Sequence, residues 1–217
     1  MVINQIGHRS ASLWKLIPFF GSVLFVLLYL VAACYYPGGS QFNRSTRGFS
    51  WTHNYWCNLL NETAINGQPN AARPIALMAM VILCLALGAF WYLFPIQAGF
   101  GKKEKRAIQV AGATAMSIAL FLFTSFHDII INVATLFGLV ALGGTFVGLR
   151  RSGLRKLFWM GLFIIVLIGL NNVLYYNSHL LYYLPVVQKI TFLYFLLWIC
   201  CVNVSLYLTL SEKQRMA

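Results

Sequence analysis

Six long apolar stretches constrain this chain more than any other feature of its sequence. They lie near residues 14–35, 74–97, 107–125, 129–149, 155–175 and 186–209. About 20 mostly apolar residues are enough for an α-helix to cross the hydrocarbon core of a bilayer. Because only helices and closed barrels satisfy every backbone polar group in lipid, the stretches predict six transmembrane helices. The expected fold class is an all-α, polytopic membrane helix bundle with a long first extracytoplasmic loop.

The composition supports a single membrane domain over residues 1–217. Of the 217 residues, 60% are hydrophobic and only 9% are charged, whereas soluble domains carry roughly 25% charged residues. The apolar stretches leave no room for a separate soluble domain. The first stretch is too long for the apolar core of a cleaved signal peptide, so we interpret it as a helix.

The positive charges separate into two unequal groups when the chain is threaded through a membrane six times. Twelve of the 16 Lys and Arg residues fall on one side, at positions 9, 15, 102, 103, 105, 106, 150, 151, 155, 156, 213 and 215. The other side holds only Arg44, Arg47, Arg73 and Lys189. Cytoplasmic loops of membrane proteins carry an excess of Lys and Arg. We therefore expect both termini in the cytoplasm and a location in the plasma (inner) membrane.

The two short basic loops, residues 102–106 and 150–156, indicate what the chain contacts. Juxtamembrane clusters of Lys and Arg attract anionic lipid headgroups. The net charge of +12 does not indicate a nucleic-acid partner, because the charge follows the topology pattern along the chain. Membrane lipids are the expected partners, with anionic headgroups at these two loops.

The reactive side chains gather on the extracytoplasmic side of this topology. The only aspartate and three of the four histidines fall there, namely His53, His127, Asp128 and His179. Two or three histidines with a carboxylate can hold Zn²⁺, which lowers the pKa of a bound water toward 7. These four residues are therefore candidate Zn²⁺ ligands. Alternatively, His127 and Asp128 are candidate catalytic residues that act as an acid–base pair without a metal.

Each of these residues also has a structural interpretation. Ser125 and Asp128 have the spacing of a capping box, which predicts a tight hairpin and a cap for the fourth helix. His53 lies in the aromatic segment 49–60, and such segments are typical of the membrane interface. HExxH, GxSxG and CxxC motifs are absent from the sequence, so no specific motif decides between the two interpretations.

Seven further polar residues complete the predicted substrate-binding pocket on that side. They are Asn54, Glu62, Asn132, Asn171, Asn172, Tyr175 and Tyr176. Polar groups at membrane depth are costly, and they tend to face one another or a wet cavity. Cys34 and Cys57 fall on the same side, where the sequence is compatible with a disulfide and equally with two thiols.

The first outer loop resembles that of a known superfamily. The relevant stretches are residues 50–59 (SWTHNYWCNL) and 66–70 (NGQPN), followed by a helix that leads to Phe94-Pro95. They resemble the six-helix DRAM/Sfk/FRAG-type superfamily, which has an aromatic–Asp/Asn–Leu element in this loop and an Asn after a Gly near the second helix. Asn58 stands where that element often has Asp. The resemblance implies lipid-related work and assigns no catalytic residue.

Three functions are compatible with these features. The first is a membrane protein whose extracytoplasmic pocket binds a lipid or lipid-anchored substrate and, if it is an enzyme, hydrolyses or remodels it. The second is a non-enzymatic structural or regulatory membrane protein. A small-molecule transporter ranks lowest, because the interiors of the stretches carry no Asp, Glu, Lys or Arg, and such residues commonly mark transport pathways.

Overall fold

Six α-helices make up the structure, a computed structural model that describes residues 13–124 and 126–216, with the backbone alone at 127, 128, 210 and 212–216. They are α1 (Ile17–Cys34), α2 (Arg73–Gln97), α3 (Lys102–Ala119), α4 (His127–Arg151), α5 (Arg155–Tyr176) and α6 (Leu184–Met216). Two isolated β-bridges and no strand occur in this part of the chain. The prediction of an all-α fold is confirmed.

Five helical segments are long and apolar enough to cross a membrane. They are Leu13–Cys34, Arg73–Gln97, Ile129–Arg151, Arg155–Tyr176 and Leu181–Thr209. The prediction of membrane-crossing helices is confirmed for these five, and a membrane-embedded protein follows from them.

The third predicted stretch, 107–125, is the one that is not among these five segments. Its helix α3 ends at Ala119 and is 18 residues long, which gives about 27 Å at 1.5 Å per residue. The first five residues of α3, 102–106, are all charged, and the apolar residues 120–123 form turns instead of helix. The helix therefore holds too few apolar residues to count as a span by composition alone.

The helices pack as antiparallel neighbours in chain order, and α6 returns to pack against α1 and α2. From α2 onward short connections enforce this order, because two helices joined by a few residues must lie side by side. The bundle thus has two ends. The loop end holds residues 35–72, 120–124, 126 and 177–183. The basic end holds residues 98–106, between α2 and the start of α3, and residues 150–156, between the end of α4 and the start of α5.

Small residues bring α4 close to its neighbours. A Cβ atom at Gly144 would lie 2.4 Å from Cγ1 of Ile108 on α3, and one at Gly148 would lie 2.6 Å from Cζ of Phe94 on α2. The adjacent Gly143 has nothing within 4 Å of the same position. The Gly144-xxx-Gly148 spacing is therefore a close-packing surface, as such spacings often are in membrane helices.

A bidentate ion pair links α3 to α4 at the basic end. The Arg151 guanidinium donates to both carboxylate oxygens of Glu104, at 2.9 and 3.0 Å. This hydrogen bonding lowers the pKa of Glu104 below its usual value. The pair lies in solvent and adds little to stability, but it ties the first turn of α3 to the last turn of α4.

Candidate functional site

Residues 35–72 are the longest part of the loop end and fold over the ends of α1, α2 and α6. We call this segment the cap. Its aromatic part contains a short 3-10 helix at Trp56–Leu60. The buried Trp56 ring packs against Phe25 and Tyr29 of α1 and Phe192 of α6. The aromatic segment is thus part of the protein core, and only its Trp51 side remains exposed.

Asn70 joins the end of the cap to α2. Its Nδ2 group donates to the carbonyl oxygens of Asn58, Leu59 and Asn61 at 3.1, 3.2 and 2.9 Å. Its Oδ1 atom accepts the N–H of Ala72 at 3.1 Å. The side chains of Asn58 and Asn70 are both buried. Asn58 and Asn70 belong to the two stretches that resemble the superfamily. Both residues therefore have a local role in folding this loop.

Asn54 is fully buried in the middle of the cap. Its Nδ2 donates to the carbonyl oxygen of Gly39 at 2.9 Å, and its Oδ1 accepts the N–H of Ser50 at 2.8 Å. Asn54 was predicted to bind substrate, but both polar atoms of its side chain are hydrogen-bonded to backbone groups.

A buried cation holds the cap on the bundle. The ammonium group of Lys189, on α6, donates to the carbonyl oxygens of Asn54 and Pro185. Lys189 is only 7% exposed, and a buried charge needs such partners. Sequence reasoning missed this role, because it counted Lys189 with the cations outside the membrane, at the outer end of the sixth apolar stretch.

Two tyrosines of the cap also have perturbed hydroxyl groups. Burial raises the pKa of Tyr36, whose hydroxyl accepts the N–H of Ile65 at 3.1 Å. Burial likewise raises the pKa of Tyr55. Both therefore stay neutral hydrogen-bonding groups at physiological pH.

His53 faces a tyrosine on the far side of the loop end. Its Nε2 atom lies 2.6 Å from the hydroxyl of Tyr182, and its Nδ1 lies 3.1 Å from Oγ1 of Thr52. His179 is exposed, and its backbone N–H donates to Oδ1 of Asn177 at 3.1 Å. Among the side chains that the structure describes, no three His, Cys, Asp or Glu are arranged to hold a metal. The Zn²⁺ site stays a prediction.

His127 and Asp128 occupy the first two positions of α4, at the loop end. Their side chains lie outside the described residues, and so does Ser125. The residue at the N-cap position of α4 is Phe126. Their catalytic, metal-binding and helix-capping roles therefore stay predictions.

Two further predictions concern the cap. Glu62 forms an ion pair with Arg73 at 3.0 Å, and its side chain is 77% exposed. Cys34 is exposed and Cys57 is half-buried, and the structure has both as thiols. The substrate-binding role of Glu62 and the Cys34–Cys57 disulfide stay predictions.

The loop-end halves of α4 and α5 are packed far less than the rest of the bundle. Only 11% of the apolar window of α4 and 17% of that of α5 is buried, against 50% for α2. No residue of 129–140 or of 165–173 is buried. Over 129–140, only the narrow stripe of Ile130, Ala134 and Gly138 is even half-buried.

The two helices meet near the basic end. A Cβ atom at Gly161 of α5 would lie 2.6 Å from the ring of Phe146 on α4. Residues 4, 7, 11 and 14 positions apart lie within about 40° of one another around an α-helix. The stripes that continue from this contact toward the loop end are therefore Leu139, Thr135 and Asn132 on α4, and Ile165, Ile168, Asn172 and Tyr175 on α5. We call these seven residues the seam.

All seven side chains of the seam are exposed. Leu139, Ile165 and Ile168 lie toward the basic end, and the amides Asn132 and Asn172 lie toward the loop end. Sequence reasoning proposed both asparagines and Tyr175 but missed Thr135, which lies three positions after Asn132 on the same helical face.

Asn171 points into a different interface. Its Nδ2 donates to Oγ1 of Thr191 on α6 at 2.7 Å and to the carbonyl oxygen of Leu167 at 2.8 Å. Interhelical bonds of this kind stabilise membrane bundles. Tyr176 is 82% exposed beside Tyr175, with the ring centres 5.2 Å apart.

No protein-family model matches the chain, and it has no significant match among curated proteins or among solved structures. The class that the structure defines is therefore a helical membrane bundle with a folded cap. The resemblance to the DRAM/Sfk/FRAG-type superfamily stays a prediction.

Proposed function

We propose that this chain binds a membrane lipid in the seam between α4 and α5. The observation that carries the proposal is the exposure of two stripes that change from apolar to polar toward the loop end. An amphiphile has the same order of groups, with the acyl chain beside Leu139, Ile165 and Ile168 and the headgroup beside Asn132 and Asn172. The Nδ2 group of Asn172 donates to the carbonyl oxygen of Ile168 at 2.9 Å, so its Oδ1 atom is the group that a headgroup donor would bind.

We further propose that α3 crosses the membrane, which gives six crossings with both termini on one side. The Glu104–Arg151 pair supports this, because it holds the start of α3 beside the end of α4. Since α4 is apolar enough to cross the membrane, α3 and the turns that follow it must return over the same distance.

The proposed orientation places the basic end in the cytoplasm and the loop end outside the plasma (inner) membrane. Arg151 is paired with Glu104, whereas Lys102, Lys103, Arg106, Arg150, Arg155 and Lys156 are exposed. Each such cation near a negatively charged leaflet contributes about 1 kcal/mol to membrane attraction. Anionic headgroups are the proposed partners of this end.

Hydrolysis or remodelling of the bound lipid is a second candidate function. It is supported by the backbone positions of His127 and Asp128, which lie at the loop-end start of α4 just before Asn132. A structural or regulatory role without catalysis needs only the lipid-binding step.

Photo-crosslinking with a lipid that carries a diazirine on its acyl chain tests the binding proposal. We expect labelled peptides from the loop-end halves of α4 and α5. In Ile168→Trp the larger ring fills the seam, and the loss of about two CH₂ contacts, each near 0.8 kcal/mol, lowers labelling about tenfold.

The matched control is Val166→Trp, on the same helix. Val166 is 65% exposed and lies about 140° around the helix from Gly161, so its ring points away from the seam. Equal labelling of both variants would contradict the proposal. So would even labelling of all six helices, or a crosslink between two chains through the seam, which would make a second copy the occupant.

A further inference from the structure

We infer that the cap holds a serine-type acyl-transfer site, with Ser50 as the nucleophile, His53 as its general base and Tyr182 as the residue that positions His53. The substrate class is a carboxylic ester of an amphiphile at the membrane surface on the loop-end side. The inference goes beyond lipid binding in the seam, and it requires neither the seam nor His127 and Asp128.

His53 has a hydroxyl group beside each of its ring nitrogens. Its Nδ1 atom is 3.3 Å from Oγ of Ser50 and 3.1 Å from Oγ1 of Thr52, and its Nε2 atom is 2.6 Å from the hydroxyl of Tyr182. A nucleophile in reach of a base that a third group orients is the diagnostic arrangement of nucleophilic catalysis, and these distances are often longer before substrate binds. When Nε2–H donates to Tyr182, the lone pair of Nδ1 is free to take the proton of Ser50.

Ser50 belongs to a firmly held turn of the cap. Its N–H donates to Oδ1 of the buried Asn54 at 2.8 Å, and its carbonyl oxygen accepts the N–H groups of His53 and Asn54 at 3.3 and 2.9 Å. Lys189 in turn binds the carbonyl oxygen of Asn54. A nucleophile and its base need a fixed backbone of this kind, because their geometry must be held within about 0.5 Å.

Thr52 carries the second hydroxyl beside Nδ1, but it suits attack on a carbonyl carbon less well. The additional methyl group on its Cβ atom crowds the oxygen, and its side chain is exposed, whereas Ser50 is half-buried. Its Oγ1 lies 3.3 Å from Oγ of Ser50, so it is placed to hydrogen-bond the nucleophile. We therefore assign the attack to Ser50.

The surroundings of the turn suit an amphiphilic ester. In the part of the chain that the structure describes, the N–H groups of Trp51 and Thr52 donate to no oxygen. Both are therefore available to the oxyanion that forms when a serine attacks a carbonyl group. Phe42 is 46% exposed, and its ring centre lies 5.6 Å from that of His53 and 4.9 Å from that of Tyr182. Exposed aromatic rings are typical of the membrane interface, where an amphiphilic ester also lies.

The reaction that this arrangement supports is ester hydrolysis in two steps. Oγ of Ser50 attacks the acyl carbonyl carbon, and its proton moves to Nδ1 of His53. His53 gives that proton to the alcohol oxygen as the C–O bond breaks, which leaves the acyl group on Ser50. Water then attacks the acyl group, and His53 passes a proton from the water to Oγ as the carboxylic acid leaves.

A fluorophosphonate with a long alkyl chain tests the nucleophile directly. Oγ of an activated serine displaces fluoride from phosphorus, and peptide mass spectrometry locates the adduct. With the full-length chain in detergent micelles, we expect an adduct on Ser50 and none on Ser45, an exposed serine of the same cap whose hydroxyl donates to Asn43. An adduct on Thr52 or Ser45 in place of Ser50 overturns the assignment, and so does the absence of any adduct.

Three variants and a control separate the assigned roles. Ser50→Ala should lose the adduct and reduce turnover of a medium-chain 4-nitrophenyl ester to the uncatalysed rate. His53→Gln removes the base and should lower kcat about 100-fold or more. Tyr182→Phe keeps the ring but loses the bond that orients His53, so kcat should fall about tenfold with KM unchanged. Ser45→Ala should leave the adduct and the turnover unchanged.

The outcomes distinguish this inference from the proposed function. Lipid crosslinks in α4 and α5 without an adduct on Ser50 leave lipid binding in place and overturn the acyl-transfer site. Ester hydrolysis that persists in Ser50→Ala also overturns it. An adduct that forms at the full rate in His53→Gln removes the role of His53. If Ser50→Ala does not fold, the position of the adduct in the unchanged chain decides.

Discussion

At the scale of single residues, buried amides are the main polar elements of the cap. The Nδ2 group of Asn70 reaches three carbonyl oxygens, and its Oδ1 atom receives the N–H of Ala72. No side chain that only accepts hydrogen bonds can replace Asn70, because its three Nδ2 partners are all acceptors. The cap therefore depends on the amide and not merely on a polar side chain of that size.

Asn70→Asp tests this dependence with an almost unchanged shape. We expect it to destabilise the protein by about 2–4 kcal/mol, because a buried carboxylate would face three carbonyl oxygens without a donor. The measurement is thermal unfolding in detergent followed by tryptophan fluorescence.

Asn43→Asp is the matched control for that substitution. Oδ1 of Asn43 accepts from the backbone N–H and from the hydroxyl of Ser45, both at 2.9 Å, so an aspartate preserves both bonds. If the two variants melt at the same temperature, Asn70 does not have the role assigned to it.

The sequence could not reveal how Asn54 is used. Its polarity and its place in an aromatic outer loop made it a reasonable substrate ligand. In the fold, its side chain binds the backbone of Gly39 and Ser50, and its backbone carbonyl oxygen accepts from Lys189, which lies 135 positions away in sequence. A contact at that separation has no local signature, and an interior amide looks the same as a binding amide in one sequence. Asn132 and Asn172 could be proposed because helical periodicity alone places them.

At the scale of whole elements, long apolar runs predicted the helices well. The predicted stretches 74–97 and 155–175 match α2 (Arg73–Gln97) and α5 (Arg155–Tyr176) to within about one residue. The end of α3 was wrong by six residues, because 120–123 (LFLF) is apolar and gives no signal in hydropathy for a helix that ends at Ala119. Hydropathy specifies where lipid can cover the chain but not where a helix stops.

The contact between α3 and α4 provides a sharp test of helix packing. Gly144→Leu would drive a side chain into Ile108, and overpacking of this kind costs about 1–3 kcal/mol or more. Gly143→Leu is the control, because nothing lies within 4 Å of a Cβ atom there. We expect a lower unfolding temperature for the first variant only. A similar loss in the second would contradict the role given to the close approach, because Leu is a better helix former than Gly and Gly143 has room for it.

At the scale of the whole molecule, the two ends of the bundle differ in charge and in packing. The basic end is closed by the Glu104–Arg151 pair and presents exposed cations. Toward the loop end, α1, α2 and α6 lie under a folded cap, whereas α4 and α5 remain open along the seam. This asymmetry supports the proposal of anionic headgroups at the basic end and of a lipid along the open faces of α4 and α5. A lipid could enter the seam sideways from the bilayer, since no described residue between 129 and 140 or between 165 and 173 is buried.

Cysteine labelling tests the proposed orientation and the crossing of α3 together. In a Cys34→Ser background, Arg44→Cys marks the cap, whereas Lys103→Cys and Arg155→Cys mark the two basic connections; all three native side chains are exposed. A membrane-impermeant maleimide should label the cap variant in intact cells and the other two only after permeabilisation, because positive loops stay in the cytoplasm. With α4 as a crossing helix, which its length and apolar composition allow, positions 103 and 155 share a side only if α3 crosses too. Labelling of Arg155→Cys but not Lys103→Cys in intact cells would therefore remove the third crossing, and labelling of both with the cap protected would invert the orientation.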